Sequence, residues 1–440
     1  MLLAFKLRNF RSFEDEQVLH LVHSPRERSE GMPHEDVVPA MALLGANASG
    51  KSNLLRAIGL MFEMVRSSAI RPADSLPYEP FLLGEGTSGP TLFEATLRLD
   101  GVRYDYGFEY DSSTIVSEWL YSSPRGRQRV LFERGLNERD WYFGDSLVGA
   151  TQAMAEATRA NALFLSTARL LNHRTLTPLQ EQIGLLVRDL TPDSMPMVLQ
   201  QTLESLENDP ARLRRVTRFL KRSDLGVEKV AVEKATWPAG MQEAALRFIE
   251  TSMPDANPED IQVELAWATL QPRLSHRASN NRLVELPFEW ESVGTRNMLA
   301  LLGPILDQLT RGGVLVIDEL DMSLHPRLVS EMVKLFVNPK TNPNQAQLIL
   351  STHDVTVMMN INGYGALGRD ALWLVEKNQY TGSSRLYSIW EHQPRKGEVF
   401  SRNYLIGNYG ALPRIDETNY SDIFEWDADD FKDVDADHEN

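Results

Sequence analysis

The chain has 440 residues, 42% of them apolar, and a formal net charge of −16, which suits one large packed domain with an insertion, or two domains. It contains no cysteine, which excludes disulfides, a thiolate metal site and a catalytic thiol. No apolar run approaches the length of a membrane span, and Met1-Leu2-Leu3-Ala4-Phe5-Lys6 lacks the basic segment and apolar core of a signal peptide, so a cytoplasmic protein is expected.

Residues 1–44 read as strand, turn, strand, loop, strand, with alternation from Leu3 and a polar loop at 24–36 marked by Pro25, Gly31 and Pro33. The stretch Ala42-Leu43-Leu44-Gly45-Ala46-Asn47-Ala48-Ser49-Gly50-Lys51-Ser52-Asn53 organises the rest of the chain. An apolar run enters a Gly-rich turn, then Lys-Ser, then a helical pattern through Leu54, Leu55, Ile58, Met61 and Phe62 to about Arg66. That is the strand, phosphate loop and helix of a Walker A motif. Backbone N–H groups from Gly45 to Ser52, those of Asn47 and Ser49 included, can face one concavity and bind phosphate oxygens. The helix adds the positive end of its dipole. Gly45 and Gly50 keep Cβ atoms away and permit positive φ. Lys51 is expected to reach the β- and γ-phosphates of ATP, Ser52 to ligate Mg²⁺, and Asn53 to join the nucleotide-binding set.

Residues 67–90 are rich in proline and glycine. Antiparallel strands are expected at Thr91–Leu99, Val102–Tyr110, Ile115–Tyr121 and Arg129–Arg134, the first pair joined at Asp100-Gly101. Residues 150–235 are expected to be mostly helical, with apolar spacing of three and four in Gln152–Arg159, Pro178–Leu190, Met195–Leu206 and Pro210–Arg222. Strand-like alternation returns at 261–290. A helix from Thr295 to about Leu309 is expected to break at Gly303-Pro304. Beyond it, strands are expected at Val314–Ile317, Gln347–Leu350, Ala371–Val375 and Arg385–Trp390, and a helix at Leu328–Val337. The fold class is α/β.

Gly313-Val314-Leu315-Val316-Ile317-Asp318-Glu319 is an apolar strand ending in two carboxylates, as in Walker B. Asp318 at the strand's carboxyl end would hold Mg²⁺, and Glu319 would orient or deprotonate the attacking water. Glu291-Ser292-Val293-Gly294-Thr295-Arg296 precedes this strand, Ser323-Leu324-His325-Pro326 comes after it, and Leu350-Ser351-Thr352-His353-Asp354 ends another apolar strand.

This order resembles the ABC-type ATPase heads of the SMC and RecF kind: Walker A, a long insertion, a Ser-x-Gly signature, Walker B, a D-loop and a switch histidine. The resemblance implies that Ser292 and Gly294 contact ATP held by a second subunit, and that His353 senses the γ-phosphate in its own. The stretches Asn9-Phe10-Arg11-Ser12-Phe13, Glu79-Pro80-Phe81, Asp105-Tyr106-Gly107-Phe108, Glu118-Trp119-Leu120-Tyr121, Asn161-Ala162-Leu163-Phe164-Leu165-Ser166 and Tyr404–Pro413 are similar to those of RloA-type, abortive-infection ATPases of bacteria. The PARIS, Septu and Gabija ATPases are more distant likenesses. The resemblance covers about residues 1–415, most weakly at 195–260. It implies an ATPase that works as a homodimer or higher homo-oligomer and controls a separately encoded effector, a nuclease, in anti-phage defence. One departure is the lack of a convincing Q-loop glutamine: Gln17, Gln128 and Gln152 stand in poor contexts.

From these readings the expected organisation is an N-terminal ATPase lobe at 1–170, a helical insertion at 171–260, a C-terminal ATPase lobe at 261–415 and an acidic, disordered tail at 416–440. The tail holds eleven acids and one base, so it carries −10 of the net charge. Arg11 is either a nucleotide contact or a plain surface arginine. Arg212, Arg214, Arg215, Arg218, Lys221 and Arg222 form either a solvated helix face or a nucleic-acid or partner surface. Pro124–Arg129 reads as a hairpin loop. No nuclease pattern comes after His353, so this chain is not expected to cut nucleic acid. Two other functions stay open: a RecF-like DNA-repair ATPase, and a nucleotide-gated scaffold or inhibitor of an effector.

Overall fold

Apolar runs of alternating and continuous pattern become the strands of three sheets. The computed structural model describes residues 1–24, 36–71, 76–84, 89–135, 140–234, 270–358, 367–393 and 398–413. Most of the loop expected at 24–36, the start of the strand region at 261–290, and the acidic tail lie outside the described residues.

The strands are β1 (Leu2–Arg8), β2 (Gln17–His20), β3 (Ala40–Leu44), β4 (Thr91–Leu99), β5 (Val102–Tyr110), β6 (Ile115–Ser123), β7 (Arg129–Arg134), β8 (Trp141–Phe143), β9 (Val187–Leu190), β10 (Val227–Lys234), β11 (Leu270–Arg277), β12 (Leu283–Leu286), β13 (Val314–Ile317), β14 (Gln347–Ser351), β15 (Leu372–Lys377) and β16 (Ser384–Ser388). The helices are α1 (Lys51–Ser67), α2 (Thr151–Ala157), α3 (Phe164–Leu170), α4 (Leu176–Gly184), α5 (Met195–Asn208), α6 (Pro210–Arg222), α7 (Val293–Arg311), α8 (Pro326–Val337) and α9 (Phe400–Leu405).

An antiparallel sheet has the order β2-β1-β4-β5-β6-β7-β8, and a small one the order β10-β11-β12. The central sheet, β16-β15-β3-β14-β13-β9, is parallel except for β16. Strand β3 is buried along its whole length, as a middle strand covered on both faces must be. Its side chains alternate between two cores. Met41 and Leu43 join α1 and the large antiparallel sheet. Ala40, Ala42 and Leu44 face the side filled by α7 and α8. Helix α1 is thus sandwiched between two sheets, which explains why eleven of its seventeen residues are buried.

Two expectations are corrected. The helix expected to run to Leu190 ends at Gly184, and Val187–Leu190 is an edge strand of the central sheet. Leu179, Ile183, Leu186 and Leu190 keep helical spacing, which misleads; pairing along β13 decides the conformation. The Arg66 guanidinium pins the junction by donating to the carbonyls of Gly184 (2.7 Å) and Val187 (3.4 Å).

The break expected at Gly303-Pro304 does not occur; α7 runs through it. Pro304 has no N–H to donate, which frees the carbonyl of Ala300 four residues back. The Thr202 hydroxyl of α5 donates to that carbonyl at 2.7 Å. Gly303 makes room: a Cβ there would lie 2.1 Å from Thr202 Oγ1. Thr202→Val keeps the shape and removes the donor, leaving a buried carbonyl unpaired. A loss of about 1–3 kcal/mol is expected in chemical denaturation, with Thr202→Ser close to wild type; an unchanged midpoint for Thr202→Val would refute this account.

Candidate functional site

Strands β3, β14 and β13 run in parallel register, with Ser351 beside Leu43 and Ile317 beside Leu350. The segments leaving their carboxyl ends therefore meet on one edge of the sheet, where open α/β sheets bind ligands. They line a cleft of about 600 Å³ together with Ser12 and Lys377. Its walls are Asn47 to Asn53, Glu319, Asp321, Met322 and His353.

The loop from Gly45 to Gly50 needs glycine at both ends. Gly45 has φ +154, and a Cβ there would lie 2.2 Å from the Val375 carbonyl oxygen. Gly50 has φ +114, and a Cβ there would lie 2.5 Å from Ser384 Oγ. Gly50 is also the N-cap of α1. It supplies no side-chain cap, and no acid stands in the helix's first turn. The first N–H groups and the positive end of the dipole are left for an anion.

Lys51 is buried, and its ammonium donates to the carbonyls of Gly45 (2.8 Å) and Ala46 (3.0 Å). Burial pulls its pKa below the usual lysine value, and Asp318, Glu319 and Asp321 partly offset that pull. Ser52 lies exposed in the cleft. The loop's far side is fixed by hydroxyls. Ser384 Oγ donates to the Ser49 carbonyl (2.6 Å) and shares a hydroxyl–hydroxyl hydrogen bond with Ser12 Oγ (2.8 Å), and Asn53 Nδ2 donates to Ser12 Oγ (2.8 Å).

The carboxylates are set by a serine that no local motif singles out. Ser351 Oγ, at the end of β14, donates to Asp318 Oδ1 and accepts from the Glu319 N–H at 2.8 Å. The Asp318 N–H donates to the Leu190 carbonyl, so β9 braces it from the other side. Glu319 sits at φ +52, a left-handed conformation costly for a residue with Cβ and typical of sites under functional constraint. Asp321 lines the cleft beside Glu319, whereas Asp318 is not among its lining residues. Asp321 Oδ2 accepts from the His353 N–H at 3.2 Å, while its buried Oδ1 has no hydrogen-bond partner. The motif Asp-Glu-Leu-Asp carries the signal that would have found it. Ser49 Oγ is likewise buried without a partner. Desolvation and the nearby Lys51 charge hold the His353 pKa below its ordinary value, with Asp321, Glu319 and Asp318 opposing. The balance favours the neutral imidazole.

Other expected residues lie elsewhere. Arg11 does not line the cleft: its guanidinium pairs with Glu79 and reaches Asn53 Oδ1 at 3.4 Å. Ser292 is the exposed N-cap of α7 and accepts from the Thr295 N–H at 3.0 Å. It lies outside the cleft, beside exposed Trp290 and Val293. Gly294 packs on the segment after Walker B, where a Cβ would come within 2.5 Å of the Ser323 carbonyl oxygen. Among the described residues no glutamine lines the cleft. Gln17 accepts from the Leu386 N–H, and Gln152 donates to Glu156. Nothing in the local sequence marks Lys377, which lines the cleft, or Ser384, which is buried behind the phosphate loop; the pairing of β15 with β16 sets them opposite each other.

A partly parallel central sheet, a phosphate loop entering a helix N-terminus, and carboxylates at the end of the next strand but one are the features of a P-loop fold. Residues 40–360 match the family described as "AAA domain, putative AbiEii toxin, Type IV TA system". The chain belongs to that family. None of the curated proteins matches it. Among solved structures it is similar to an SMC head domain from Thermotoga maritima, at 15% identity and a TM-score of 0.39 over 88% of this chain and 98% of that one. It is also similar to an SmcHead bound to the C-winged helix domain of ScpA, at 15% identity and a TM-score of 0.40 over 89% and 99%. Among the described residues no helix is long and apolar enough to cross a membrane.

The Lys51 charge depresses the His353 pKa, so Lys51→Met should raise it. An NMR titration of the His353 ring in the full chain tests this, and an unchanged or lower midpoint would contradict the proximity of the two groups.

Proposed function

We propose that this chain is an ATPase that binds ATP with Mg²⁺ and hydrolyses it in a head-to-head dimer. The observation that carries the reading is the convergence of Lys51, Ser52, Glu319, Asp321 and His353 on one cleft. The unpartnered Ser49 Oγ and Asp321 Oδ1, and the acid-free N-terminus of α1, fit a polyphosphate and its cation.

In this reading Lys51 exchanges the Gly45 and Ala46 carbonyls for β- and γ-phosphate oxygens. The N–H groups of residues 45–52 take the remaining phosphate charge, with Asn47, Ser49 and Asn53 around them. Ser52 and Asp318 would hold Mg²⁺, which when bound neutralises charge on the β- and γ-oxygens. Glu319 accepts a proton from the water that attacks the γ-phosphorus. The bond from that phosphorus to the β–γ bridging oxygen breaks, giving ADP and inorganic phosphate. Neutral His353 donates a hydrogen bond to a γ-oxygen. Ser292 and Gly294, at the exposed start of α7, contact the γ-phosphate bound by a second copy. Arg11 would join the site only after leaving Glu79.

The family description, with its toxin, and the likeness to abortive-infection ATPases support a role in bacterial anti-phage defence through a separately encoded nuclease effector. The division into lobes at 1–170 and 261–415, an insertion at 171–260 and a tail at 416–440 belongs to the same proposal, with β9 serving the central sheet from within the insertion.

Glu319→Gln should keep ATP affinity and lower hydrolysis by about 100-fold or more in a phosphate-release assay; undiminished turnover would remove the role given to Glu319. Ser292→Arg should leave one head able to bind ATP but abolish ATP-dependent dimerisation in sedimentation. A normal dimer in that variant would sink the contact in trans.

A further inference from the structure

Helix α6 has two faces of unequal fate. Val216 and Leu220 are buried, with Leu213 and Phe219 packed against the same core. Two of its bases are committed internally: Arg212 pairs with Asp307 of α7, and Lys221 with Glu228 of β10. Arg214, Arg215, Arg218 and Arg222 are exposed. At 3.6 residues per turn they fall within an arc of about 100°, so they form one stripe roughly 12 Å long. Asp209 stands at the N-cap end of the stripe, its pKa lowered first by the Arg212 N–H bond it accepts and last by the Arg215 charge, and exposed Asp224 comes just after the other end. Among the described residues Arg214, Arg218 and Arg222 have no ion pair. On a chain of net charge −16, four arginines on one helix face are a local reversal of sign.

We propose that the occupant of this stripe is the chain's own acidic tail, residues 416–440. Charge complementarity argues for it, since that segment alone carries −10. Spacing argues for it as well. Asp433, Asp435, Asp437 and Glu439 alternate, so an extended chain presents a carboxylate every ~6.7 Å on one edge. Arg214, Arg218 and Arg222 recur every ~6 Å along the helix. Arginine, with its planar fork, is the base suited to paired carboxylate contacts. Reach is not a constraint. The 27 residues after Pro413 span up to roughly 90 Å, against a diameter of roughly 55 Å for a domain of this size. Docking covers the stripe and excludes other polyanions from it until salt or a stronger competitor releases the tail. This is independent of the ATPase reading and does not stand or fall with it.

The test uses the full chain with Phe431→p-benzoylphenylalanine, a photo-crosslinker within the tail. Irradiation should join position 431 to peptides of residues 210–222 of the same chain, shown by mixing heavy- and light-isotope protein. Substituting Arg214→Gln, Arg215→Gln, Arg218→Gln and Arg222→Gln together should cut that product at least fivefold with the circular dichroism spectrum unchanged. Raising the salt to ~1 M, where the Debye length is ~3 Å, should do the same. Crosslinks centred on the Arg125–Arg129 hairpin or on residues 235–269, links chiefly between heavy and light chains, no crosslink at all, or a yield indifferent to the four substitutions would each overturn the proposal. So would binding of a fluorescent 20-nucleotide strand that depends on the four arginines but ignores neutralisation of the tail acids.

Discussion

Three buried strands in parallel register hold this protein's site together. β3, β14 and β13 lie side by side, and their carboxyl ends finish at one level. The phosphate loop after β3, the carboxylates after β13 and the histidine after β14 therefore share one edge, although about 300 residues separate the first from the last. Neither half is a site alone. The loop supplies N–H groups and one ammonium; the other two segments supply acids and an imidazole. A slip of one residue in the register would turn every side chain of the slipped strand to the opposite core. Both cores are close-packed, so the exchanged side chains would no longer fit.

Hydrogen bonds finer than the sheet then set individual groups. Ser351 stands between the two halves and fixes Asp318 and the Glu319 backbone together. Ser384 and Ser12 fasten the far side of the phosphate loop. These hydroxyls tie the segments around the cleft to one another. The Lys51 ammonium is held by two loop carbonyls, and burial lowers its pKa.

The lobe that carries the exposed start of α7 is joined to the rest by similarly local chemistry. Thr202 supplies the hydrogen bond that Pro304 cannot, so α7 continues from Ser292 at the surface to Arg311 beside β13. Glu291, just before the N-cap, is buried against His276 of β11 at 2.6 Å. That bond ties the small sheet to the start of α7.

The sequence alone determined what depends on neighbours in the chain. The Gly-rich loop, the continuous apolar strands, the Asp100-Gly101 hairpin and the absence of thiol chemistry are local or compositional facts, because backbone period and turn chemistry act over a few residues. What tertiary structure decided depends on partners far away in the chain. Leu190 has helical spacing, yet pairing with β13 makes its segment a strand; Pro304 reads as a break, yet a hydroxyl from α5 carries the helix through. Arg11 lies near the phosphate loop, yet Glu79 holds its guanidinium outside the cleft. Ser351, Ser384 and Lys377 act at the site only because sheet order brings them there, and no periodicity within a short window encodes which strand will lie beside which.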